Sequence, residues 1–213
     1  MLTLFDYLPS QNAWKVRQLL HHLQRPYRTE QVAIFDGEGQ RPSYLEINPT
    51  GAVPAIRLED GRVLAESNAI LAFLAEDSEY LPRDAFERAQ VLQWLFFEGD
   101  YVQSSVATLR HWVMTGKCAR RPPELLEAKR AASLKVLAIL DRELARRPFL
   151  AAGRYTIADI SVFAYVHRAA EAELPLERFR GVCEWIGRVR EQPRHLAEVH
   201  PYSIDPHSGR ELP

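Results

Sequence analysis

Three short stretches carry the residues with chemistry in reach. Ser10 and Asn12 stand where the loop Tyr7-Leu8-Pro9 hands over to an apolar-periodic helix. A hydroxyl or amide donor at a helix N-terminus, with the helix dipole behind it, stabilises an anion such as a thiolate by hydrogen bonding to the charged form. Plain helix capping uses the same two residue types. Val53-Pro54 opens a strand, and an X-Pro step is the one peptide bond whose cis form costs only about 0.5–1 kcal/mol. A cis bond here would turn the Val53 backbone outward with its N–H and C=O unengaged. Glu66, Ser67 and Asn68 lead into AILAFLAE at helical spacing, with Ser67 as the natural N-cap. The N–H groups of that helix start would welcome a carboxylate, the Ser67 hydroxyl could donate to it, and Glu66 offers the opposite charge. Such a pair suits a zwitterionic amino-acid group better than a bare phosphate, although an ordinary capped helix beside a solvated Glu has the same sequence.

Composition narrows the alternatives. With 213 residues, 46% hydrophobic and 26% charged, the chain can fill one large or two small cores and is not disordered as a whole. A net charge of -1 gives no electrostatic case for nucleic acid or for an anionic membrane surface. Cys118 and Cys183 form no CxxC pair, which argues against zinc or dithiol chemistry and for a reducing, cytoplasmic location. The N-terminal MLTLFDYLPS has neither a basic nor an apolar leader segment, and no uninterrupted apolar run approaches the ~18 residues of a membrane span. The chain is therefore expected to be neither exported nor membrane-bound. No metal site is expected: His21 and His22 are adjacent and diverge on a helix, and no HExxH or Cys/His cluster exists. GxGxxG, Walker and GxSxG motifs are also absent from the sequence.

The elements that would position the three stretches follow from periodicity. Residues 2–6 read as a strand, and Ala13, Val16, Leu20 and Leu23 mark one face of a helix that Pro26 ends, with Lys15, Arg17 and Gln18 off that face. Residues 27–33 read as a second strand, parallel to the first because a helix joins them. Residues 42–47 allow only a short helix. AIRLE and RVLAE read as a hairpin about a two-residue Asp60-Gly61 turn. The order β-α-β-α-β-β-α is a thioredoxin-like α/β arrangement over residues 1–78, with a linker over 78–84. An all-α helical C-terminal domain is expected over 85–201 and a tail, loose or folded over the surface, over 202–213. Its first helix runs from about 85 to 115 along a stripe of Leu92, Leu95, Phe96, Gly99, Val102, Val106, Leu109 and Val113. Lys117, Arg120 and Arg121 read as a solvated basic loop. Thr156 to Asp159 is a capping box that opens a buried helix, with Asp159 a structural acid.

Ser10, Asn12, Lys15-Val16-Arg17, then Pro42-Ser43-Tyr44-Leu45, Asn48-Pro49, Gly51 to Ala55, Glu66 to Ile70 and the Thr156 to Asp159 box are, in this order and spacing, similar to a cytosolic glutathione S-transferase. The likeness is to bacterial members with Ser or Thr two residues before Asn, some of which resemble glutathione-dependent disulfide-bond reductases. The resemblance implies that glutathione is the co-substrate and that Val53, before a cis Pro54, pairs with its cysteinyl backbone. It further implies that Glu66 and Ser67 hold the γ-glutamyl end, that Gln40 or Arg41 reaches the glycyl carboxylate, and that Ser10 or Asn12 faces the sulfur. Tyr101, Ser105 and Trp112 become candidates for a second-substrate site, which would take a small electrophile or a disulfide. A homodimer is implied, in which Asp100 could approach the neighbour's ligand. Ala13 stands where some relatives carry Cys, and Ala52 where a longer polar residue is often found. Disulfide reduction by glutathione, or a transferase-like interaction module without catalysis, are the alternatives.

Overall fold

A computed structural model describes residues 1–198 and 200–212, so Val199 in the expected helical domain and Pro213 of the expected tail lie outside the described residues. The chain divides into two compact units, one of Met1–Glu76 with Arg194–Pro213 and one of Asp77–Pro193.

In the first unit the strands β1 (Leu2–Asp6), β2 (Tyr27–Gln31), β3 (Ala55–Arg57) and β4 (Val63–Ala65) form one sheet in the order β2-β1-β3-β4. β1 pairs parallel with β2, across helix α1 (Gln11–His22), and antiparallel with β3. Because side chains alternate across a sheet, the paired Leu4 and Ile56 share one face while Phe5 and Ala55 share the other. That second face joins Tyr7, Val32, Phe35, Tyr44 and Val53 in one buried cluster. Helix α2 is Pro42–Leu45, and α3 (Ser67–Leu74) packs on α1. The mixed sheet and its helices agree with the expected β-α-β-α-β-β-α order.

The hairpin differs from expectation. Leu58 and Arg62 close a three-residue loop in which the Gly61 N–H donates to the Leu58 carbonyl and Gly61 takes φ 87°. A turn followed by a left-handed Gly suits the twist of the strands as well as the two-residue turn does. Off the apolar face of α1, Lys15, Arg17 and Gln18 are nevertheless all buried. The C-terminal segment accounts for Gln18, whose amide donates to the Arg194 carbonyl and accepts the Leu196 N–H at 3.1 and 2.7 Å. Arg17 is turned to the Asp6 carboxylate and the Leu8 carbonyl.

The second unit is helical: α4 (Ala85–Phe97), α5 (Thr108–Met114), α6 (Pro123–Leu144), α7 (Ile157–Val166) and α8 (Arg180–Arg190). Between α4 and α5 the helix continues through Glu98–Ala107 with wider π winding, and Thr108 N–H bonds back to the Gln103 carbonyl five residues earlier. Wider winding shifts the phase of an apolar stripe. Phe96 and Gly99 face solvent in place of the expected interior, while Val91, Trp94, Glu98 and Ser105 face inward with Leu95, Val102, Val106 and Leu109. The basic loop is not uniformly solvated either: Lys117 is buried with its ammonium 3.1 Å from His111 Nε2, and Arg121 lies over the Trp112 ring.

Every residue of α7 is buried. Its capping box is complete: Thr156 accepts at the helix start, and Asp159 Oδ2 accepts the Thr156 N–H at 3.0 Å. Asp159 Oδ1 accepts from the Leu150 N–H and the Trp185 indole at 3.0 and 2.9 Å. Burial, the largest influence, pushes this carboxyl from 3.8 up to about 6, against the donors of Leu150, Trp185 and Thr156. The folded chain thus holds the proton more tightly than the unfolded one. Stability from this group is full below about pH 3.8 and is lost as pH rises through about 6. Urea titrations should show Asp159→Ala losing about 3–5 kcal/mol at pH 7, because buried N–H donors lose their acceptor. Asp159→Asn, which carries no titrating group, should fall further behind the native chain at pH 4 than at pH 7; a constant deficit contradicts the assigned ionisation.

Candidate glutathione site

All the residues expected to hold glutathione lie in the first unit, on the ends of its elements. The Ser10 N–H donates to the Tyr7 carbonyl at 2.8 Å, which closes the loop onto α1, and the Ser10 hydroxyl oxygen accepts the Ala13 N–H at 3.2 Å. Ser10 is therefore the N-cap. A hydroxyl that accepts one hydrogen bond still has its own proton to give, so capping and donation to a sulfur are compatible. Tyr7 offers no such proton. Its phenol donates to Asp205 Oδ2 at 2.8 Å, and burial together with that carboxylate pushes its pKa far above the ordinary tyrosine value.

Asn12 and Ser67, distant in sequence, are brought together. The Ser67 hydroxyl lies 3.4 Å from Asn12 Oδ1 and equally 3.4 Å from the buried Lys15 ammonium. Ser67 is not the N-cap of α3, contrary to expectation. Glu66 occupies that position with φ 68° and ψ 112°, and no side-chain oxygen caps the helix. A non-glycine residue in this region costs about 1–3 kcal/mol, a strain that concentrates at functional sites. The unusual backbone turns the Ser67 hydroxyl toward α1 and leaves the α3 N-terminus without a side-chain acceptor, the arrangement that attracts an anion. Glu66 itself is exposed beside it.

The Val53-Pro54 bond is cis. Among the described residues no hydrogen bond engages the Val53 N–H or C=O. The preceding turn is held from beneath: the Ala52 carbonyl accepts from both the Tyr44 hydroxyl and the Asn48 amide at 2.7 Å. Asn48 Oδ1 in turn accepts the Thr50 N–H and hydroxyl at 3.1 and 2.9 Å. Sequence reasoning assigned no such role to Tyr44, Asn48, Thr50 or Lys15. The Asn-Pro-Thr-Gly run is the signal for the first three, since Asn readily bonds the backbone two residues on, whereas nothing local marks Lys15 as buried. Gly51 takes φ 70°, and Gly39 comes so close to it that a Cβ on Gly39 would strike the Gly51 carbonyl oxygen. This approach sets Gln40 beside the turn. Arg41 is exposed and pairs with Glu38 at 3.0 Å.

The remaining candidates belong to the second unit. Tyr101 is exposed with its ring 5.3 Å from that of Phe97, Ser105 is buried and donates to the Tyr101 carbonyl, and Trp112 lies under Arg121. Asp100 is exposed. Among the described residues no group of three or more His, Cys, Asp or Glu side chains could hold a metal ion, and no helix is long and apolar enough to cross a membrane.

Comparison with known proteins shows the family. The profile of the glutathione S-transferase N-terminal domain matches residues 9–77, and that of the C-terminal domain matches residues 123–199. Glutathione S-transferase 1 of Schizosaccharomyces pombe is 33% identical over 92% of this chain and 93% of its own. The disulfide-bond oxidoreductase YfcG of Escherichia coli is 28% identical over 88% and 89%. A crystal structure of a glutathione S-transferase from Pseudomonas fluorescens superposes with a TM-score of 0.89 at 36% identity, covering 92% of this chain and 97% of that one. Two further transferases, at TM-scores of 0.81 and 0.80, were crystallised with glutathione disulfide or glutathione bound. The chain belongs to the glutathione S-transferase family.

Proposed function

We propose that the chain binds glutathione on its first unit and activates the thiol for attack on an electrophilic small molecule. The observation that carries this reading is the unengaged Val53 backbone, an N–H and a C=O held in place by Tyr44 and Asn48 through Ala52. An extended peptide pairs with such a pair of groups as a strand does. The cysteinyl residue of glutathione fills that role. Ser67 and the uncapped α3 N-terminus receive the γ-glutamyl carboxylate, Glu66 its ammonium, and Gln40 or Arg41 the glycyl carboxylate.

Ser10 then donates to the sulfur. A free thiol has a pKa near 8.5, so a donor aimed at the thiolate raises the reactive fraction at neutral pH. The thiol proton leaves to solvent, the thiolate forms a bond to the electrophilic atom, and the leaving group departs with its electron pair. Disulfide reduction is the second reading, favoured by the likeness to an oxidoreductase of that name. It uses the same thiolate but attacks sulfur. Ala13, in the first turn of α1, offers no thiol, so the mixed disulfide in this reading forms on glutathione itself. A non-catalytic interaction module would not bind glutathione. We place the protein in the cytoplasm, consistent with two free cysteines. A homodimer accounts for Phe86, Phe96 and Tyr101 lying exposed in one continuous helical stretch, and light scattering in solution tests it.

A parallel assay of aryl halide conjugation and mixed-disulfide reduction with glutathione separates the two reactions, and absence of both with no glutathione binding leaves the interaction module. Ser10→Ala should lower turnover roughly 10- to 1,000-fold and raise the bound thiol pKa by about one to two units, with little change in glutathione affinity. Asn12→Ala should do less; a larger pKa shift in that variant, read from thiolate absorbance, reverses the two roles. By calorimetry Ser67→Ala should weaken glutathione binding by about 1.5–3 kcal/mol. Unchanged binding confines Ser67 to linking α1 and α3.

A further inference from the structure

β2 is the outermost strand of its sheet. Its Tyr27, Thr29 and Gln31 stand at every second position and so point to one face of that sheet. Trp14 and Arg17, three residues apart on α1, lie on one side of the helix. Together with Leu196, Glu198 and His200 of the C-terminal segment, these two rows enclose a cleft of about 370 Å³, large enough for a small molecule. The segment is tied down there: the Leu196 N–H donates to Gln18, and the Leu196 carbonyl accepts the Trp14 indole N–H at 3.3 Å. None of the residues assigned to glutathione lines this cleft.

Asp6, at the end of β1, forms part of the wall. One oxygen of its carboxylate is paired with the Arg17 guanidinium; the other, Oδ2, is buried and has no hydrogen-bond partner. A buried carboxylate oxygen without a donor is costly, and a donor brought into the cleft removes that cost. Burial chiefly, with Asp6 acting against Arg17, raises the pKa of the Tyr27 phenol, so the group near that carboxylate is a neutral hydroxyl. Arg17 commits its terminal nitrogens to Asp6 and to the Leu8 carbonyl. Glu198 is exposed at the rim, 3.9 Å from His200 Nε2. An anion would therefore meet two carboxylates and an engaged guanidinium. A metal ion would lack a ligand set, because among the described residues no three His, Cys, Asp or Glu side chains could hold one. An uncharged apolar guest would leave Oδ2 without a donor.

We propose that this cleft binds a small primary alkylammonium, whose N–H groups donate to Asp6 Oδ2, the Tyr27 hydroxyl oxygen and Glu198 while its alkyl chain lies on Trp14 and Leu196. A primary ammonium brings three donors and one positive charge. The lining offers those three acceptors, and with His200 neutral its two carboxylates against one guanidinium leave one negative charge to be matched. The same group arrives either on a free amine or on the lysine side chain of a peptide. Neither requires glutathione, so the site stands apart from the transferase reading.

The test follows the Trp14 indole N–H and the Leu196 amide of the full chain by NMR during titration with n-butylammonium chloride at constant ionic strength. n-Butanol and sodium butyrate serve as the matched neutral and anionic probes. Saturable shifts are expected with the ammonium, at a Kd at least tenfold below that of either control. Thr29→Trp, which fills the cleft from an exposed position, should weaken the ammonium at least tenfold, and Glu198→Gln at least threefold, both variants melting with the native chain. Asp6→Asn should also lose the ammonium, but it strips Arg17 of its partner, so the two exposed-position variants decide. The proposal is overturned by butanol or butyrate binding as tightly as the ammonium, by no saturable shift with the ammonium, or by an ammonium Kd that Thr29→Trp or Glu198→Gln leaves unchanged. Nα-acetyl-lysine methylamide separates the two sources. Tighter binding than n-butylammonium assigns the site to a peptide side chain and weaker binding to a free amine, and either upholds the ammonium site.

Discussion

The Ala52 carbonyl, held by two donors at once, is the constraint on which the site depends. A carbonyl oxygen can accept two hydrogen bonds, and here Tyr44 and Asn48 supply both from beneath the turn. With Ala52 so anchored, and Gly51 left-handed where Gly39 approaches it, the Val53 backbone keeps its outward pose before Pro54. An N–H and a C=O left without partners beside a buried cluster are costly unless a ligand or water takes them. In the proposed function an extended peptide takes these two groups, with Val53 as the edge it pairs with.

A second constraint is the polar side of α1. Lys15, Arg17 and Gln18 are buried, each by a different neighbour: Ser67 on α3, Asp6 at the end of β1, and the backbone around Arg194 and Leu196. Burying so many polar groups is tolerable only where each is hydrogen-bonded. These bonds fix α1 against the sheet, against α3 and against the C-terminal segment. They also set the positions of Ser10 and Asn12 at its start. The residues that could act on a sulfur are thus carried by a helix held on three sides.

What the sequence made legible follows from how local each signal is. The parallel β1 and β2 follow from the helix that joins them, the capping box at Thr156 and the helix after Glu66 from neighbours within a few residues, and they stand as read. Ser67 could not be placed correctly from local rules, because the positive φ of Glu66 moves the cap by one residue and redirects the hydroxyl to α1. Phe96 was misplaced for a related reason: a 3.6-residue period cannot anticipate the π winding that follows it. Lys15 and Lys117 look like surface cations by type, and only the tertiary contacts to Ser67 and His111 show otherwise. The support beneath Val53 was written in the Asn48-Pro49-Thr50-Gly51 run, but its partner Tyr44 comes from another element.

If glutathione pairs with Val53 as a strand would, the Val53 amide should change from an unpaired to a hydrogen-bonded group on binding. Amide hydrogen exchange reports that change at a single residue. The account predicts that Val53 N–H, fast to exchange in the free protein, becomes protected when glutathione is added at saturating concentration. Unchanged exchange at Val53, with glutathione bound by calorimetry, would contradict it.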